Sequence, residues 1–121
     1  MMQLVKQFED GRFIGAKMVP DSVYVLPEEV QDIAGYGRTV ENDVEEVDAE
    51  EAYLIIIRIA NNYQVRTAFS DEEAIDEAER LYNVYAESRK IYNDEDPFIN
   101  IRVLYVGPDD VFEYIYDEDV V

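Results

Sequence analysis

Carboxylates are the side chains through which this chain could do chemistry: 29 of its 121 residues are Asp or Glu, against 10 Lys plus Arg and no His or Cys. The most ordered group follows Ser70, where Glu72, Asp76 and Glu79 recur at i, i+4 and i+7, with Asp71, Glu73 and Glu77 beside them. On a helix this spacing sets neighbouring carboxylates about 5–6 Å apart on one face. Phosphates along one nucleic-acid strand repeat every ~3.4 Å of axis and lie farther apart along the winding backbone, so the two spacings are comparable. A rigid row of this kind can occupy a basic groove built for DNA or RNA. A second run, residues 41–51, holds seven acids and no base, among them Glu45, Glu46, Asp48, Glu50 and Glu51, and a third is Asp94, Glu95 and Asp96.

Other chemistry fits these residues less well. A calcium loop of the EF-hand kind needs a Gly at its sixth position, and counting from Asp43 that position is Asp48. Paired carboxylates can hydrolyse glycosides, but nothing singles out one pair in a cleft, and no Gly-rich phosphate loop follows a strand. The reading is of a protein that is not an enzyme, with no metal and no cofactor. The absence of Cys and His removes disulfides, thiolate or imidazole metal sites and imidazole-based triads. A formal charge of -19 repels nucleic acid, so direct binding to it is not expected. The N-terminus shows no signal-type apolar region, and the apolar stretch at residues 53–57 is far too short for a membrane span. A soluble, cytoplasmic protein is expected.

The elements that must position the acids are read from periodicity and turn chemistry. Asp10-Gly11 suggests a hairpin, with a short N-terminal helix before a strand as the alternative. Pro27-Glu28-Glu29 offers a short helix closed by Gly35, which gives a small αβ portion in residues 1–40. Residues 41–52 read as an exposed acidic segment. Two strands at 53–60 and 63–69, joined by Asn61-Asn62, lead to Ser70-Asp71-Glu72-Glu73, a capping box. Ala74, Ile75, Ala78, Leu81, Tyr82 and Tyr85 then form one apolar stripe of a long helix. Strands at 98–106 and 111–116 complete a body over residues 53–116, and residues 117–121 read as a frayed tail. The expected fold is α+β: a single domain over 1–121, with one antiparallel sheet packed against one long amphipathic helix.

Residues 1–40 hold six acids and four bases, a net of -2, and residues 41–121 hold 23 acids and six bases, a net of -17. Like charges at i, i+4 cost a helix a few tenths of a kcal/mol per pair, and solubility needs a net charge of only about 2–8 in magnitude. A solvated helix face is the plain alternative, and the cost of the charge argues against it. Phe112, Tyr114 and Tyr116 share one face of the last strand by alternation, and Tyr114 and Tyr116 beside carboxylates would suit a protein interface.

In size, in lack of Cys and His, in acid density and in the sheet-and-helix layout of residues 53–116, the chain resembles the acidic phage-encoded inhibitors of bacterial defence, the anti-CRISPR and anti-restriction DNA mimics. The resemblance implies a small inhibitor, acting in the host-cell cytoplasm, whose partner is a basic nucleic-acid-binding protein such as a nuclease or effector complex. The carboxylates named above would pair with the partner's Arg and Lys. A reading from another class is a housekeeping or adaptor domain with an acidic surface, suited to a salty cytoplasm or to protein contacts.

Overall fold

The computed structural model describes residues 1–31, 38–92 and 97–120. Along them run β1 (Met2–Glu9), β2 (Arg12–Pro20), β3 (Glu28–Gln31), β4 (Arg38–Val47), β5 (Ala52–Ile59), β6 (Asn62–Ala68), α1 (Asp71–Tyr92), β7 (Ile99–Val106) and β8 (Phe112–Asp119). The strands make two four-stranded antiparallel sheets, ordered β2-β1-β4-β3 and β6-β5-β7-β8. The expectation of an α+β fold with one sheet and an N-terminal αβ portion is therefore corrected: the fold is mostly β, with two sheets and one long helix. The chain divides into two compact units, Met1–Glu51 with Val106–Phe112, and Ala52–Tyr105 with Glu113–Val121.

In the first unit, Asp10 and Gly11 take φ of 51° and 77°, the two left-handed positions that a tight β-hairpin turn requires. The hairpin reading of β1 and β2 holds, and the N-terminal helix does not form. The expected helix at Pro27 is instead a strand over its described part, with Glu28 opposite Glu41 and Gln31 opposite Arg38. Backbone and side-chain hydrogen bonds from β1 and β4 hold the chain ahead of it. Asn42 donates its backbone N–H to Pro27 O (2.6 Å) and its Nδ2 to Leu26 O (2.6 Å), while Gln3 Nε2 donates to Pro20 O (3.0 Å) and Val23 O (2.7 Å). The chain entering residue 28 is thereby pinned beside β4, and strand pairing overrides local helix preference.

The acidic stretch that begins at Glu41 is mostly exposed, and its first part is a strand. Glu41 through Val47 lie in β4, which pairs with β1 on one side and β3 on the other. Alternation puts Glu41, Asp43 and Glu45 on one face of an extended strand and Glu46 on the other, and Asp48 follows the end of the strand, so residues 43–47 are extended and do not wrap round an ion as a calcium loop does. The acids that point outward stay exposed, while Val40 and Val47 are buried.

The second unit follows from the strongest local signals. Ser70 Oγ accepts the N–H of Glu73 at 3.2 Å, the expected cap, and α1 runs 22 residues from Asp71. Its inner face presents Ala74, Ala78 and Leu81 to Ile55, Ile57, Ile101 and Val103 in one core. The small alanines let the helix lie close to the sheet. The β5–β6 register pairs Ile59 with Asn62, which places the turn at Ala60-Asn61, one residue earlier than the Asn pair suggests. Ala60 takes φ 54°, braced by its N–H to Phe98 O (2.8 Å) and by Arg58 Nε donating to its carbonyl (2.9 Å). A left-handed residue with a Cβ is strained, so Ala60→Gly should stabilise the chain by about 0.5–1 kcal/mol. The check is a higher urea midpoint at unchanged slope.

The tail is not frayed through residue 120. Asp117 to Asp119 close β8, and Val120 is 3% exposed, with its N–H donating to Ile99 O at 2.9 Å. Among the described residues, no helix is long and apolar enough to cross a membrane.

Candidate functional site

Because Ala74, Ala78 and Leu81 face the core, the opposite side of α1 is fixed by geometry and carries Glu72, Asp76 and Glu79, all exposed. Asp71 and Glu73 are also exposed, and with Glu72 they set three carboxylates in the first turn, against the positive end of the helix dipole. The row is thus anchored from behind by packing and from its start by the Ser70 cap.

Glu77 differs from its neighbours. Its Oε1 accepts from Arg66 Nη1 and from Arg80 Nη2, each at 2.6 Å, and its Oε2 accepts from Arg80 Nε at 3.0 Å. Hydrogen bonding from Arg80, with its charge and that of Arg66, holds the Glu77 carboxyl below its ordinary 4.5 despite some desolvation. Arg66 reaches it because Arg66 stands opposite Ile55 at the edge strand β6, on the helix side of the sheet. Glu77 therefore ties helix to sheet and consumes two cations that would otherwise neutralise the acid row.

This gives a pH test. A carboxyl whose folded pKa is depressed adds stability above its unfolded pKa and loses it as pH falls through the folded value. Glu77→Gln should lower the Tm at neutral pH, and the difference from the parent should shrink as pH drops below 4.5. A difference that stays constant from neutral to acid pH would show that the pair contributes through shape rather than charge.

The remaining candidates are dispersed. Glu45 is half-buried, and its Oε2 lies 3.4 Å from Lys6 Nζ across the first sheet. Glu46, Asp48, Glu50 and Glu51 are exposed, in β4 and the bend after it. These belong to the first unit, whereas α1 belongs to the second. Asp94, Glu95 and Asp96 lie outside the described residues. Tyr114 is 44% exposed, with the Arg102 guanidinium 5.6 Å from its ring centre. Tyr116 instead packs on the helix-side core, and burial, with Glu118, Glu79 and Tyr82 nearby, holds its phenol above the ordinary 10.0. The two tyrosines, expected on one face, have different surroundings.

Two groupings escaped the sequence reading. Asn100 is buried, and its Nδ2 donates to Asp117 Oδ1 and Asp119 Oδ1, each at 2.8 Å, while its Oδ1 accepts from Arg102 Nε at 2.9 Å. The signal was present as a polar pair at i, i+2 in β7 against an acidic pair at i, i+2 in β8. The second is an open cleft of roughly 430 Å³ formed by Tyr53, Asp71, Ile75, Tyr105 and Ile115, which no single stretch of sequence contains. Among the described residues, no three or more carboxylates are grouped so as to hold a metal ion.

Charge also redistributes once the units are known. The first unit carries 15 acids and four bases, a net of -11, and the second 14 acids and six bases, a net of -8. The division at residue 40 cuts through a sheet, so the contrast between -2 and -17 describes no folded unit. Comparison of the chain with protein-family models, with curated proteins and with solved structures returns no match.

Proposed function

We propose that the chain is a non-enzymatic acidic binding protein that inhibits a nucleic-acid-binding protein, a nuclease or effector complex, by occupying its basic DNA- or RNA-binding surface. The observation that carries this reading is the exposed row Glu72, Asp76 and Glu79 on a helix held rigid from its inner face, with the neighbouring Arg66 and Arg80 already engaged by Glu77. A rigid row presents its charges to a basic groove without the entropy cost of ordering them on contact. The test is competition. The chain should release labelled duplex from a candidate nuclease, and direct binding between the two proteins should weaken as salt rises from about 0.1 M, where screening acts over about 10 Å, to about 1 M, where it acts over about 3 Å. Failure to displace nucleic acid from any of a panel of nucleases and effector complexes would sink the reading.

One observation favours a second reading, a housekeeping or adaptor domain with a generally acidic surface: both units are strongly acidic, at -11 and -8. Unfolding measured against potassium chloride separates the two. A salt-adapted domain loses its fold at low salt, whereas a competitive inhibitor stays folded there and binds best.

A further inference from the structure

We infer that the cleft between the start of α1 and the second sheet is a binding site for an organic cation of the guanidinium class. Its walls are the rings of Tyr53 and Tyr105, with centres 5.3 Å apart and planes tilted by 51°, together with Ile75 and Ile115. Its polar end is Asp71, whose Oδ1 also accepts the N–H of Glu72 at 2.7 Å. Aromatic faces attract cations through the ring quadrupole, aliphatic walls suit the stem of an arginine, and a carboxylate at one end takes the charge. The volume, roughly 430 Å³, falls within the ~300–1,000 Å³ of small-ligand clefts. The helix dipole places about half a positive charge near this end, and the three carboxylates Asp71, Glu72 and Glu73 more than offset it. The chain already uses the same chemistry internally: Arg58 lies 5.6 Å from the Tyr63 ring centre and 5.4 Å from that of Phe98. An anion is disfavoured by Asp71 and by the net charge of -8 on this unit. The assignment does not depend on the inhibitory reading, because the cation can be free or carried on a protein.

The experiment follows the tyrosine ring resonances by NMR during titration with N-acetyl-arginine methylamide, with its neutral citrulline analogue, and with the same arginine flanked by glycines in a peptide. The arginine compounds should shift the Tyr53 and Tyr105 rings along a saturating curve, and the citrulline compound should not. Asp71→Asn should weaken the arginine response about fivefold. Tyr105→Leu, which keeps an apolar side chain but removes the ring, should weaken it to a similar extent, with thermal unfolding confirming that the variant is folded. Tighter binding of the peptide assigns the ligand to a protein side chain, and equal or weaker binding assigns it to a free cation. Equal responses to arginine and citrulline, a response that does not saturate, or one unchanged by Asp71→Asn would overturn the site.

Discussion

Asn100→Asp is expected to destabilise the chain by about 3 kcal/mol at neutral pH and by far less in acid. Both amide hydrogens of Asn100 are in use, one on Asp117 and one on Asp119, and the residue itself is only 3% exposed. Hydrogen bonds to charged acceptors contribute about 1.5–3 kcal/mol each. The substitution replaces the donor with a third carboxylate among the two it served, and Arg102, 2.9 Å from Asn100 Oδ1 and 3.5 Å from Asp117, offsets only part of the repulsion. The new carboxyl titrates above the unfolded value of about 3.9, because its neighbours disfavour its charge. The folded chain then binds the extra proton more tightly than the unfolded chain does, so the charge part of the penalty is absent below about pH 3.9 and develops as pH rises through the folded value, leaving in acid only the loss of one of the two donors. Urea unfolding of parent and variant across pH gives the difference directly. Asn100→Leu, which adds no charge, should cost less at neutral pH. A penalty for the Asp variant that is the same at pH 3 as at pH 7 would show that packing around Asn100, rather than charge, sets its role.

The parts of this architecture that were legible in the sequence are the ones whose signals are local. The Ser70 cap, the spacing of Ala74, Ala78 and Leu81, and the alternation of Ile99, Ile101 and Val103 each report their own environment within a turn or two. The exposed side of α1 followed from the same stripe by exclusion. What failed depended on partners distant in the chain. Residues 28–31 have helix-friendly acids after a proline, but Asn42 captures the carbonyls of Leu26 and Pro27 from about 15 residues away and directs the chain into a sheet. The strand within the exposed acids of β4 went unread because Val40, Val44 and Val47 are too few to show alternation, while the strand gains its partners from β1 and β3. Glu77 stands in the acid row by sequence and leaves it in space, since Arg66 arrives from an edge strand whose register no local rule sets. The Tyr53, Asp71 and Tyr105 cleft draws on a strand, a helix start and another strand, and only the folded unit brings them together.

Replacing Glu72, Asp76 and Glu79 together by Gln, Asn and Gln is expected to weaken the complex with a basic partner about a hundredfold while leaving the fold at least as stable. About 1 kcal/mol for each of three lost contacts corresponds to that loss. Removing the repulsion of the i, i+4 and i, i+3 neighbours returns a few tenths of a kcal/mol per pair to the helix. Weaker binding and unchanged or higher stability in the same variant cannot both arise from misfolding, so the pair of measurements isolates the surface. The response to salt should flatten as well, since three of the screened charges are gone. The matching control replaces Glu46, Asp48 and Glu50, which are exposed in the other unit, and removes the same charge. If the helix variant alone loses binding, the carboxylate row is the interface. If both variants lose it equally, the partner responds to total charge, and the surface is acidic in general rather than shaped for a groove.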